Sequence, residues 1–253
     1  MYYERHGSGP SLILLHGGAG STEMFGNLTP GLSRDREVIP VDLQAHGRTA
    51  DIDRPLRYEL MADDIAALMD FLGLAKADLM GYSLGGGVAL RTAIQYPAKV
   101  GRLVLVSAPL KRQGWYPEVL LAMSEGGSPE SAEAMKKSPM YEVYSRIAPR
   151  VQDWPVLFAK LAEMLRREYD WSDEVVSMKA PTMLVVGDSD SVRTAHAVEF
   201  FGLLGGGRRD AGWDGSKMPK ARLSILPGTT HYGIAYSPQL EPIVKEFLEA
   251  RII

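Results

Sequence analysis

Cysteine is absent from this chain of 253 residues. That excludes disulfides, a thiol nucleophile and thiolate metal sites. Histidine is scarce, five in all, so a site built on imidazole has few candidates. No apolar run is long enough to span a bilayer. The net charge is −3, without the basic excess that nucleic acid or an anionic membrane would require. The opening residues, Met1 to His6, do not form a signal peptide, and a cytoplasmic protein is expected. Asn27-Leu28-Thr29 fits the glycosylation pattern, but without a secretion signal it carries no weight. What is present is ordinary for a globular protein, 45% apolar and 23% charged, at a length that suits one α/β domain with an insertion.

Apolar patterning alternates between strand-like and helix-like segments. Leu60, Met61, Ile65, Leu68, Met69 and Leu72 share one face of a helix from Tyr58 to Leu72. A second helix spans Leu84 to Gln95 and stops at Tyr96-Pro97. The last opens at Ser237-Pro238, an N-cap followed by an N1 proline, with Leu240, Ile243, Val244, Phe247 and Leu248 at helical spacing. Strands alternating with helices imply a mostly parallel sheet with right-handed crossovers.

The most informative stretch is Leu79 to Gly87. It reads as a short strand, a Gly81-Tyr82-Ser83-Leu84-Gly85 turn, and a helix start. A serine there is pushed outward beside a helix N-terminus, which favours negative charge. Side chains at Gly81 and Gly85 would collide in so sharp a turn. The pentapeptide alone is equally compatible with a plain Gly/Ser turn. A nucleophilic serine needs a base and an orienting acid. His231 sits in a loop after the strand-like Arg222-Leu223-Ser224-Ile225-Leu226, a usual place for catalytic side chains. His6 reads as inert in a polar turn, and His196 as a surface residue of a helix. Asp188 and Asp190 follow Pro181 to Gly187, a β-branched run that reads as a buried strand. Either carboxylate could hold the imidazole, and an Asp-Ser-Asp turn without chemistry reads the same way. The chain order Ser, Asp, His is that of α/β-hydrolase triads.

With these motifs in register, the chain resembles the α/β-hydrolases. Leu12-Ile13-Leu14-Leu15-His16-Gly17-Gly18 resembles the family's strand and oxyanion loop. Val38 to Thr49 resembles its next strand and His-Gly turn, with Ala45 where glycine is usual. The resemblance implies a mostly parallel sheet of about seven strands with the first family strand missing. It implies a core over 1–110 and 178–253 and a helical cap inserted over 111–177. It places the acid at Asp190, three residues after Gly187, with Asp188 as the alternative. Some relatives carry the acid one strand earlier, but here Arg102 to Ser107 leads into Ala108-Pro109-Leu110, with no acid. The oxyanion donors implied are the backbone N–H groups of Gly18 and Leu84.

The expected activity is hydrolysis of carboxylic esters by Ser83, His231 and Asp190, with no metal or organic cofactor and a small ester or lactone as partner. Dehalogenases and epoxide hydrolases of this family attack with Asp, which Ser83 does not suit. Lactonase, C–C bond hydrolase and perhydrolase activities share the triad, and a non-catalytic small-molecule receptor is the alternative from another class. The aromatic and Met-rich residues of the insertion, among them Trp115, Met140, Tyr144 and Trp154, should form its own core more than a pocket. The glycine-rich stretch 205–216 reads as a surface loop without assigned chemistry.

Overall fold

The computed structural model describes residues 1–250. Seven strands form one sheet: β1 (Tyr2–Tyr3), β2 (Ser11–Leu15), β3 (Glu37–Asp42), β4 (Ala77–Tyr82), β5 (Val100–Val106), β6 (Thr182–Ser189) and β7 (Arg222–Thr230). Their order is β1-β3-β2-β4-β5-β6-β7. Only β1 is antiparallel, pairing Tyr2 with Asp42 and Tyr3 with Val41. The sheet therefore has the expected number of strands, but one is a two-residue edge strand that the sequence reading leaves out. Two residues are too short for an alternating pattern to register.

Ten α-helices accompany the sheet among the described residues. The short α1 (Thr29–Leu32), α2 (Tyr58–Phe71) and α3 (Leu84–Gln95) come first. Between β5 and β6 lie α4 (Pro117–Glu125), α5 (Pro129–Ala134), α6 (Pro139–Ile147), α7 (Trp154–Arg166) and α8 (Ser172–Val176). Then follow α9 (Thr194–Leu203) and α10 (Leu240–Glu249). Alternation along the strands sends side chains to two cores. Ile13 and Leu15 of β2 pack with α2, α3 and the inserted helices, while Leu12 and Leu14 pack with α10 on the other face. The insertion has an aromatic centre of its own: buried Trp154 lies 4.7–5.1 Å, ring to ring, from Tyr141, Tyr144 and Phe158.

Two local expectations are corrected. His196 is not a surface residue: it is 1% exposed, because α9 turns it against the segment leaving β5. Its Nε2 accepts the Leu110 N–H at 3.2 Å. The last helix starts at Leu240 rather than Pro238, because Ser237 Oγ closes a turn onto Gln239 N at 3.3 Å instead of capping the helix. The glycine-rich stretch is held as tight turns, in which Asp210 accepts from Gly212 N and Asp214 from Ser216 N.

The strand order reverses between β2 and β4, which are neighbours with Leu15 opposite Gly81. Open α/β sheets bind ligands at such a switch point, beyond the carboxyl ends of the strands. The loops there are joined by buried histidines. His16 Nε2 accepts the Leu43 N–H at 3.1 Å, so its Nδ1 carries the proton and donates to Gly17 O at 2.7 Å. His46 packs on it at 5.0 Å, bonds Gln44 O through Nδ1 and leaves Nε2 buried without a partner. Burial lowers the His16 pKa to about 4 and the His46 pKa to about 3. In the unfolded chain both would titrate near 6.5. Below that pH the unfolded chain binds these protons and the folded one does not, so stability is lost as pH falls from about 6.5 toward the folded values. Urea titrations should show each histidine removing about 2 kcal/mol by pH 5 relative to pH 7.5, and His46→Gln should flatten that slope. Equal slopes in the two proteins would contradict this account.

Candidate active site

Ser83 joins β4 to α3 with φ 52° and ψ −115°, a left-handed backbone that a non-glycine residue adopts only under constraint. The constraint is close approach. A Cβ on Gly81 would stand 2.1 Å from Gly85 O, and one on Gly85 would stand 2.1 Å from Leu15 O. The turn can thus press against β2, and it projects the half-buried Ser83 beyond the sheet.

β7 runs to Thr230, so His231 follows the strand directly rather than a loop after Leu226. The exposed Asp188 explains the extension. It accepts from Gly228 N at 2.9 Å and Thr229 N at 3.3 Å, bridging the irregularity where β6 and β7 change register. Those amides hold its carboxyl below the usual range. His231 is 6% exposed, and its Nε2 lies 3.1 Å from Ser83 Oγ. Its Nδ1 lies 2.9 Å from Oδ1 of Asp190. Asp190 is buried and also accepts from Val192 N, from Gly187 N and from Ser107 Oγ. Burial pushes its carboxyl up, but the bonds from His231, Ser107 and Gly187 outweigh that and hold it low, as a carboxylate. Of the two aspartates, the structure brings Asp190 to the imidazole and leaves Asp188 on the strand pair.

Gly17 lies against this line, since a Cβ on it would stand 3.5 Å from Ser83 Cβ. Of the candidate oxyanion donors, Gly18 is the next residue in the chain after Gly17, and Leu84 follows the serine and opens α3. Asp42 at the end of β3 is buried and clamps the neighbouring loops, accepting from Thr22 N at 2.6 Å and Arg48 N at 2.7 Å. Among the described residues, no group of three or more His, Asp or Glu side chains could hold a metal ion.

Three neighbours escape the sequence reading. Ser107 directly follows β5 with φ 51°, and its hydroxyl donates to Asp190 from the place where some relatives carry the acid. Trp115, from the start of the insertion, sets its ring edge-to-face with His231 at 5.4 Å. It is held there by the pairing of Trp115 with Val192 and by Tyr116 N donating to Ser191 O. Tyr82 donates to His231 O at 2.9 Å. Ser107 and Trp115 lie more than 75 residues from the groups they serve. The only signal for Ser107 is its position at a strand end beside the acid strand.

Residues 10–124 match the family model of the alpha/beta hydrolase fold. An uncharacterised protein of Mycobacterium tuberculosis (strain ATCC 25618 / H37Rv) is 25% identical over 280 residues, covering 96% of this chain and 76% of that protein. The pyrrolizixenacetamide deacetylase of Xenorhabdus hominickii is 36% identical over 103 residues, 40% of this chain and 39% of that one. The enol-lactonase from Burkholderia xenovorans LB400 superposes with a TM-score of 0.76 at 19% identity, covering 98% of this chain and 96% of that one.

The different surroundings of the two aspartates separate them experimentally. On a chromogenic ester, Asp190→Asn should lower turnover by about three to four powers of ten with little change in KM, because the amide favours the wrong imidazole tautomer. Asp188→Asn should cost less than about tenfold and act through a lower melting temperature. The reverse order of the two losses would move the acid to Asp188.

Proposed function

We propose that this chain, which has the α/β-hydrolase fold and matches the model of that fold over residues 10–124, is a serine hydrolase cleaving carboxylic esters of small to medium apolar substrates through an acyl-enzyme. The observation that carries the reading is the continuous line Ser83 Oγ, His231 Nε2, His231 Nδ1, Asp190 Oδ1, with steps of 3.1 Å and 2.9 Å, built on a serine in a left-handed turn.

In this reading Ser83 Oγ attacks the ester carbonyl as its proton passes to His231 Nε2. The oxyanion forms toward the N–H groups of Gly18 and Leu84, where the N-terminus of α3 adds favourable potential. Asp190 stabilises the imidazolium, which then protonates the departing alcohol. The acyl group stays on Ser83 until water, losing a proton to His231, attacks it and releases the acid. No step calls on a metal or an organic cofactor.

Segment 111–177 acts as a cap over a core formed by 1–110 and 178–253. Three contacts support this. Leu161 of α7 would stand 3.9 Å from a Cβ on Gly18. Trp115 faces His231. Lys160 of α7 donates to Asp51, Ile52 O and Arg54 O of the core at 2.6–2.9 Å. Such a cover excludes water and strengthens the electrostatics beneath it.

Lactones fall within the same chemistry, since a lactone is a cyclic ester and the opened chain remains on Ser83 until hydrolysis. The similarity to an enol-lactonase and, over a shorter span, to a deacetylase agrees with acyl transfer to water. Ser83→Ala should remove ester hydrolysis by several powers of ten while the far-UV circular dichroism and melting temperature stay near those of the parent protein. A folded Ser83→Ala protein that keeps near-parental turnover would refute the assignment.

A further inference from the structure

The loop that carries Gly18 is held by an imidazole that takes no part in the steps above. His16 directly follows β2 and is fully buried. Its Nε2 accepts the Leu43 N–H at 3.1 Å, which leaves the ring proton on Nδ1. Nδ1 donates that proton to Gly17 O at 2.7 Å. Gly17 O also accepts from Gly20 N at 3.0 Å, which closes a turn over Gly17 to Gly20. Ala19, third in that turn, has φ 55°, a left-handed conformation that a turn of this kind demands there.

Two donors on Gly17 O decide the direction of the group across the same peptide bond. The Gly17–Gly18 peptide is trans and planar, so the Gly17 C=O and the Gly18 N–H point in opposite directions within one plane. Fixing the oxygen fixes the N–H. The turn does not consume that N–H, and among the described residues no backbone acceptor takes it up. The peptide stands beside the nucleophile, since a Cβ on Gly17 would lie 2.7 Å from Tyr82 Cε1 and 3.5 Å from Ser83 Cβ. A donor on an amide oxygen also polarises the amide and makes its N–H a stronger donor.

Histidine is a costly residue for packing alone. Both ring nitrogens must be bonded when buried, and burial lowers the His16 pKa to about 4. An apolar side chain of similar size would fill the space against His46 without that cost. It would leave Gly17 O with the Gly20 bond alone.

We propose that His16 is a positioning residue of the reaction, acting through Gly17 O to aim and strengthen the Gly18 N–H as an oxyanion donor. The inference rests on the serine-hydrolase reading above and on its choice of Gly18. His16 touches no reacting atom. Its effect is confined to the transition state, in which the carbonyl oxygen gains charge.

Two variants separate the two bonds of the ring. In His16→Gln the side-chain oxygen can reach the Leu43 N–H, but no donor is left for Gly17 O. In His16→Asn the amide nitrogen stands near the place of Nδ1 and can donate to Gly17 O, while nothing reaches Leu43. On p-nitrophenyl acetate, His16→Gln should lower kcat at least about tenfold with KM little changed, within the loss known for removing an oxyanion donor. His16→Asn should recover most of that turnover. A purely structural role would lower melting temperature and turnover together in both variants. A third measurement needs no substitution. A trifluoromethyl ketone gives a tetrahedral oxyanion when Ser83 Oγ adds to its carbonyl carbon and the serine proton passes to His231. In the parent protein carrying isotopically labelled histidine, the His16 Nδ1–H resonance, assigned by its contact with the Leu43 amide, should shift when this ketone binds. An unmoved resonance, a raised KM in place of a lowered kcat, or turnover that falls equally in both variants or in neither would overturn the proposal, although ester cleavage by Ser83 stands. If the parent protein cleaves no ester, the serine-hydrolase reading fails and this inference fails with it.

Discussion

The left-handed turn at Ser83 is the constraint on which the rest of the site depends. It exists because two backbones approach without side chains between them, at Gly81 against Gly85 and at Gly85 against β2. A conformation that costs about 1–2 kcal/mol for an L-residue is held there by the packing of β2, β4 and α3. The result is a serine that points out of the sheet at the start of a twelve-residue helix. Everything the site can do follows from that exposure: reach toward His231, access from solvent, and a helix terminus close to any developing anion.

A second constraint works from beneath. Asp190 is buried, yet four donors meet its two oxygens: His231, Val192, Gly187 and Ser107. A buried carboxylate is costly without such partners. With them it becomes a fixed negative charge on the far side of the imidazole. Because those donors come from β6 and from the segments that directly follow β5, β6 and β7, the register of three neighbouring strands sets the geometry of one hydrogen bond. Trp115, just before α4, sets its ring against His231, and Leu161 of α7 lies close to Gly18.

Much of this was legible in the sequence because the relevant signals are local. The bounds of α3 coincide with those read from its apolar spacing and from Pro97, and α2 differs by one residue. Ser83, Asp190 and His231 can be named because each follows a strand-like run, and the structure places them within hydrogen-bonding distance of one another. The choice of Asp190 over Asp188 came from family resemblance, since both stand in one turn and only the partner strand distinguishes them. What was not legible depends on distant neighbours. Ser107 gains meaning only when β5 lies beside β6. The burial of His196 depends on the segment at Leu110 and Gly114 folding against α9, which helical periodicity does not reveal. The late start of α10 reflects a preceding turn that takes up the Ser237 hydroxyl. Asp188 extends β7 by bonding across the sheet, and no pattern within residues 222–231 records it.

The central claim is that one serine of this chain, and no other, is activated by its surroundings. Labelling the folded protein with a serine-directed fluorophosphonate, followed by peptide mass mapping, tests that claim most directly. The account predicts a single adduct, on the peptide containing Ser83, and none after thermal unfolding, when the line from Asp190 to Ser83 is broken. An adduct on another serine, or no adduct on the folded protein, would contradict it.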